Sequence, residues 1–249
     1  MDPLISASAL GETFGLLALS PPGWGGTLLR GLVNSIIIAL GAFGVGLTIG
    51  TLGAYGKLYG GPITRDLLAV YTTVVRAVPE LVLILMLYYA GTDAINRILT
   101  SFGYERVEIN GLVAGIVVLG VVQGAYATEV LRGAILAVPP GQIEAAKAYG
   151  MPPLMLMRRV TFPLMLMNAV PGMANLWLIA TKDTALLAIV GFSELTLMTQ
   201  QAAGTTKAYF TFFLAAGLLY LLITLVSERI FAMIERYSRR GQPDLRSNR

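Results

Sequence analysis

The chain has no cysteine and no histidine. Without cysteine it can build neither a disulfide framework nor a thiolate metal site. Without histidine it lacks the commonest general base and metal ligand. Charge is scarce as well. Only 13% of the 249 residues are Asp, Glu, Lys or Arg, against about 25% in an average soluble domain. No G-x-x-x-x-G-K-[ST] phosphate loop occurs, so ATP chemistry is not expected on this chain. The opening Met1-Asp2-Pro3-Leu4 has no basic run of the secretory type, so the first apolar stretch is itself expected to direct insertion.

What the chain has is hydrophobic length. Of its residues 55% are hydrophobic, and the few charges are segregated. No charge falls in the 26 residues between Arg30 and Lys57, in the 20 between Glu108 and Glu129, in the 22 between Arg159 and Lys182, or in the 20 between Lys207 and Glu228. About 20 apolar residues cross a bilayer as a helix. A further stretch, 67–92, is equally apolar but holds Arg76 and Glu80. The expected fold is therefore all-α, a polytopic membrane protein of five transmembrane helices over 29–56, 66–91, 110–136, 163–181 and 208–235. Residues 1–28 read as a periplasmic lead-in, 29–235 as one transmembrane domain and 236–249 as a cytoplasmic basic tail. Residues 182–206 fit a re-entrant or surface segment best, and an outer loop, with room for a short helix, holds Asp93, Arg97, Glu105, Arg106 and Glu108.

The sequence pI of about 9.4 would suggest nucleic acid in a soluble protein. In a membrane protein it means positive charge held on the cytoplasmic side. With the C-terminus inside, thirteen of the 18 Lys and Arg residues fall inside and five outside (Arg30, Arg97, Arg106, Lys182 and Lys207). That asymmetry predicts N-out, C-in.

The longest inside connection is the most patterned. Residues 139–163 read PPGQIEAAKAYGMPPLMLMRRVTFP, amphipathic and too short to span. Ala145 and Ala146 give a helix face small enough to enter a groove. Glu144 supplies a hydrogen-bond acceptor, and Gly150 permits a left-handed turn between two short helices. Pro163 suits the first turn of the next span.

The ordered set Glu144-Ala145-Ala146, Gly150 and Pro163 resembles the EAA loop of type I ABC importer permeases. Pro152-Pro153 is a departure that shortens or re-angles the second short helix. Three further segments resemble the polar amino-acid permeases within that family. These are Arg76-Ala77-Val78-Pro79-Glu80-Leu81-Val82 (Ala77 replacing the usual Gly), Ala125-Tyr126-Ala127-Thr128-Glu129 through Arg132-Gly133-Ala134, and Lys182-Asp183-Thr184-Ala185-Leu186. The nearest group is the histidine/lysine/arginine/ornithine and octopine/nopaline importers. The resemblance covers about residues 28–235. It implies that the coupling loop 139–162 docks on a cytoplasmic ATPase through Glu144, Ala145, Ala146 and Gly150. It also implies a second, homologous permease subunit, two copies of the ATPase that binds ATP and Mg, and a periplasmic substrate-binding protein. The setting is the bacterial inner membrane. No cofactor, metal or nucleic acid is expected on this chain.

An ionisable residue within a span is costly and marks function or pairing. Glu80 lies about 13 residues into the second span, roughly 20 Å along it at 1.5 Å per residue. Pro79 beside it removes a backbone donor, and broken helices at that depth line cavities. Glu80 is expected to meet the basic part of a substrate, or else to pair with Arg76. Tyr126, Asn175 and Thr184 are further pathway candidates, each of which could instead make an interhelical hydrogen bond. Glu129 and Arg132 are expected to hold the third span to the coupling loop rather than to touch substrate, and Asp183 and Glu194 to lie at the outer mouth, on a solvated rim or else in contact with substrate or the binding protein. Met151, Met155, Met157, Met165 and Met167 read as packing residues. The expected function is a permease subunit, not an enzyme, for polar, basic amino acids or arginine-derived opines. The alternatives are a permease for methionine or another small solute, an ion-coupled secondary transporter, or a membrane anchor.

Overall fold

The computed structural model describes residues 15–107 and 110–239. Most of the lead-in (1–14), Glu108 of the outer loop and the end of the basic tail (240–249) lie outside the described residues. The first span, α1, runs Gly25–Tyr59. Where the second crossing is expected there are two helices, α2 at Pro62–Ala77 and α3 at Glu80–Ser101, of which only α3 is long and apolar enough to cross a membrane by itself. The third, α4, runs Gly111–Leu136, with Asn110 accepting the Leu112 amide as its N-cap. Then come α5 at Pro140–Ala148 and α6 at Pro153–Leu156. A π turn at Met157–Thr161 leads into α7 at Phe162–Asp183. A 3-10 segment, Thr184–Val190, precedes α8 at Leu195–Thr206 and the last span, α9, at Tyr209–Ser238. Five stretches are long and apolar enough to cross a membrane: α1, α3, α4, the run Pro153–Val190 and α9. No strand occurs among the described residues.

The centre of the bundle is the parallel pair α1 and α4. They approach closely because each presents glycine where the other presents a side chain. Gly46 faces Gln123, Gly50 faces Ala127 and Gly53 faces Thr128, while Gly120 and Gly124 of α4 receive Val45 and Ile49 of α1. Without a hydrophobic driving force between helices in lipid, such small-residue contacts are what bring backbones together. Ile38 and Ala42 of α1, Val118 and Leu119 of α4, Ile84 of α3 and Leu187 close the core on one side. Leu28 of α1, Leu195 and Ala202 of α8 and Phe212 of α9 close a second core.

Three boundaries differ from the sequence expectation. The expected second span, 66–91, is divided at Pro79, and its second part continues as helix past 91 through Asp93 and Arg97, which pair at 2.7 Å one turn apart. The charges stopped the apolar reading there, although they sit on the exposed side of an intact helix. The fourth crossing is not confined to 163–181. Pro163 cannot donate to the carbonyl of Arg159, and Phe162 N–H reaches back five residues to Met157. This π turn joins the second short helix of the loop to the membrane helix without a break. Finally, 182–206 is no surface segment: α8 is packed between α1 and α9, with Leu195, Ala202 and Ala203 fully buried.

Candidate functional site

The break between α2 and α3 follows from Pro79. The residue before a proline is pushed out of the helical region, and Val78 takes φ −91°, ψ 139°. Pro79 itself is extended, with ψ 133°. The helix restarts at Glu80, whose carboxylate thereby falls in the first turn of α3, where the helix dipole favours negative charge. The break turns Glu80 toward α4 and the end of α7. Its carboxyl group comes within interaction range of the Tyr126 hydroxyl and the Asp183 carboxyl group.

Asp183 is 8% exposed and accepts a hydrogen bond from Gln123 Nε2 at 3.2 Å. Its expected place on a solvated outer rim is thus overturned. The charge-free run ends at Lys182, but the helical run continues to Val190. Lys182 is exposed while Asp183 turns inward. Arg76 does not pair with Glu80 among the described residues. The proline breaks the turn that would join them, and the Arg76 guanidinium lies over the Tyr126 ring, 5.9 Å from its centroid. Glu80 is half-buried and Arg76 exposed, so the cluster is open on one side. Two carboxyl groups this close repel when both are ionised, and a cation between them removes the repulsion. The exposed guanidinium beside them complements a carboxylate.

The other expected pathway residues are not gathered here. Asn175 is exposed on α7, eight residues and about 12 Å along the axis before Asp183. Thr184 is fully buried, and its hydroxyl donates to the Thr181 carbonyl at 2.8 Å. Gln123, buried against α1 with 2% exposure, was missed by the sequence reading. An amide in an apolar span was the available signal.

Two other polar nodes correct expectations. Glu129 does not hold α4 to the coupling loop. It accepts from Lys57 Nζ at 2.5 Å and from Arg132 at 2.8 Å, and Lys57 also donates to Thr72 at 2.9 Å. The node ties the end of α1 and the body of α2 to α4. Lys57 closes the charge-free run and lies just past the expected end of the first span at 56, but α1 continues beyond it to Tyr59. Glu194 is not on a rim either. It is fully buried and caps α8, accepting from the amides of Thr196 at 2.8 Å and Leu197 at 2.7 Å and from Tyr220 at 3.2 Å.

Midway along the long connection 139–162, α5 ends in a Schellman turn. Gly150 adopts φ +71°, its N–H bonds Lys147 O at 2.9 Å, and Met151 N–H bonds Ala146 O at 3.1 Å. Glu144 and Ala145 are exposed, but Ala146 turns into its own chain with 6% exposure. Tyr149, 87% exposed, and Leu154, 78% exposed, flank the turn and were not singled out from the sequence.

A family model described as binding-protein-dependent transport system inner membrane component matches residues 46–240. The chain is 42% identical over 228 residues to the nopaline transport system permease protein of Agrobacterium fabrum, covering 91% of this chain and 97% of that protein. It is 39% identical over 214 residues to the histidine/lysine/arginine/ornithine transport system permease protein of Salmonella typhimurium, covering 86% and 94%. A crystal structure of an amino acid ABC transporter with histidines superposes with a TM-score of 0.73 at 28% identity, over 86% of this chain and 95% of that one.

Proposed function

Because the chain belongs to the binding-protein-dependent transport system inner membrane components, and is a multi-pass permease subunit of an ABC importer, we propose that it carries basic amino acids or arginine-derived opines past the broken second crossing. The observation that carries this reading is the meeting of Glu80, Tyr126 and Asp183 at the helix break, with Arg76 exposed beside them. A substrate with two cationic groups and one carboxylate complements two acids and a guanidinium. Arg76 would take the carboxylate, and Glu80 and Asp183 the ammonium and the side-chain cation. Asn175 lines the same pathway in this reading and Thr184 supports it from behind. The basic amino acids in the name of one relative agree with that charge pattern; nopaline, in the name of another, keeps the guanidinium and the amine and adds further carboxylates. Methionine has no second cation to place between the acids.

The chain lies in the bacterial inner membrane with its N-terminus outside and its C-terminus inside, as the thirteen-to-five split of basic residues favours. Its partners are a second permease subunit, two cytoplasmic ATPase subunits that bind ATP and Mg, and a periplasmic binding protein. Glu144, Ala145 and Gly150, with Ala146 bracing the turn from within, present residues 139–162 to the ATPase.

The test is co-purification with the candidate ATPase and binding protein, then ATPase stimulation in lipid vesicles by amino acids and opines. Stimulation by basic substrates that falls about tenfold or more in Glu80→Gln and in Asp183→Asn supports the reading. Stimulation that is indifferent to both substitutions overturns it. Uptake driven by an ion gradient without nucleotide would favour the secondary carrier instead.

A further inference from the structure

Among the described residues the buried polar side chains are paired, with one exception. Thr128 donates to the Gly124 carbonyl, Trp177 to Ser227 Oγ at 2.8 Å, and Glu194 accepts several donors. Among the described residues only Gln123 Oε1 is a buried side-chain polar atom without a partner. The side chain is 2% exposed and has little freedom. A Cβ built on Gly46 would lie 2.9 Å from the Gln123 Cβ, so the α1 backbone closes that side. From there the amide extends to Asp183, with Nε2 donating to Oδ2 at 3.2 Å.

A primary amide can present either N–H or C=O. Toward an ionised carboxylate, which only accepts, it must present N–H; toward a protonated one it can present oxygen. Gln123 presents N–H, and its oxygen is left with nothing. A glutamine that served only to glue α4 to α7 would be expected to satisfy both ends, because a half-satisfied buried amide is worse than an apolar side chain of the same size. The geometry makes sense if the donor is needed on Asp183 more than the acceptor is needed anywhere else.

We infer that Gln123 is a positioning residue for cation recognition: its Nε2–H aims the Asp183 carboxylate at the opening beside Glu80, so that the two acids act as a pair on one substrate. Gln123 does not touch substrate; it is enclosed by its own chain and acts through Asp183. The inference rests on the proposed role of the Glu80 and Asp183 site and adds the residue that sets its selectivity.

The experiment measures direct binding to the whole permease–ATPase complex in nanodiscs, with the binding protein left out so that its own affinity does not enter. The probes are arginine and citrulline, which have nearly the same shape but differ in the side-chain cation. Gln123→Met keeps the volume against Gly46 and removes the donor, while Gln123→Asn keeps an amide one methylene shorter. Basal ATPase activity and a monodisperse elution profile report assembly. Gln123→Met is expected to raise the Kd for arginine about tenfold while leaving that for citrulline within about twofold, with Gln123→Asn in between. Equal loss of both ligands, or no change in either, from an intact complex overturns the inference. Glu80→Gln and Asp183→Asn, run alongside, separate the two levels. If neither alters arginine binding, the site itself is wrong. If they do and Gln123→Met does not, only the role of Gln123 fails. Should Gln123→Met not assemble, Gln123→Asn carries the test: an arginine-to-citrulline preference equal to that of the native complex overturns the inference.

Discussion

Gly46 of α1 and Gln123 of α4 meet with no room for a side chain between them, a Cβ on Gly46 falling 2.9 Å from that of Gln123. The contact lies midway along α1 and fixes its register against α4. Overpacking of such a contact costs about 1–3 kcal/mol. Gly46→Val is therefore expected to lower the melting temperature of the purified complex and its yield in membranes. Gly44, two residues away, has nothing within 4 Å of a built Cβ. Gly44→Ala should be neutral or mildly stabilising, since alanine is the better helix former by about 1 kcal/mol. Equal melting temperatures for both variants in a thermal-shift assay would show that the α1–α4 contact does not depend on glycine.

Lys57 joins three helices at one end of the bundle through Glu129 and Thr72. Both members of the ion pair are largely buried, with side-chain exposures of 13% and 18%, so the pair is not a solvated surface contact. Lys57→Met leaves Glu129 with Arg132 alone and is expected to destabilise the complex by about 1–3 kcal/mol. Glu129→Gln should cost a similar amount. The double variant should cost clearly less than the sum, because the two changes remove the same interaction. Strictly additive losses in a thermal double-mutant cycle would show that the pair contributes nothing.

Charge-free runs made the crossings legible, because lipid leaves a helix few alternatives to apolar residues. The same signal failed wherever a charge was buried rather than solvated. Asp183 and Glu194 ended or followed apolar runs and so read as rim residues. The structure hides them in hydrogen-bond networks that join residues up to 160 positions apart, such as Ser35 with Leu195. No local pattern encodes such partners. Gly150 and Pro79 were legible because their backbone consequences are local: a left-handed turn and a broken helix. Gln123 was not, since its meaning depends on Asp183, 60 residues away.

Pro79 places Glu80, and removing it should do so visibly. In Pro79→Ala the constraint on Val78 is gone and the missing backbone donor is restored, so α2 and α3 can join as one helix. The expected result is a complex that assembles and is at least as stable as the native one, but whose substrate-stimulated ATPase activity is lost while basal hydrolysis remains. A Pro79→Ala complex with native stimulation would show that the break is incidental to transport.

Gly150 closes α5 with φ +71°, and a built Cβ there meets nothing within 4 Å. Any penalty for Gly150→Ala is thus one of backbone conformation rather than space, about 1–2 kcal/mol for an L-residue in that region. The turn sets the angle between α5, with Glu144 and Ala145 exposed, and the run that begins at Pro153. Gly150→Ala should therefore reduce the ATPase subunit recovered on affinity purification of this chain, or uncouple its hydrolysis from substrate. Glu144→Arg, which reverses the charge on the exposed face, should do so more strongly. Gly141→Ala is the control on the same helix: it too meets nothing within 4 Å, but it is helical and carries no left-handed strain, so recovery should be unchanged. Loss of the ATPase in Gly141→Ala equal to that in Gly150→Ala would mean that the helix surface, not the turn, governs docking.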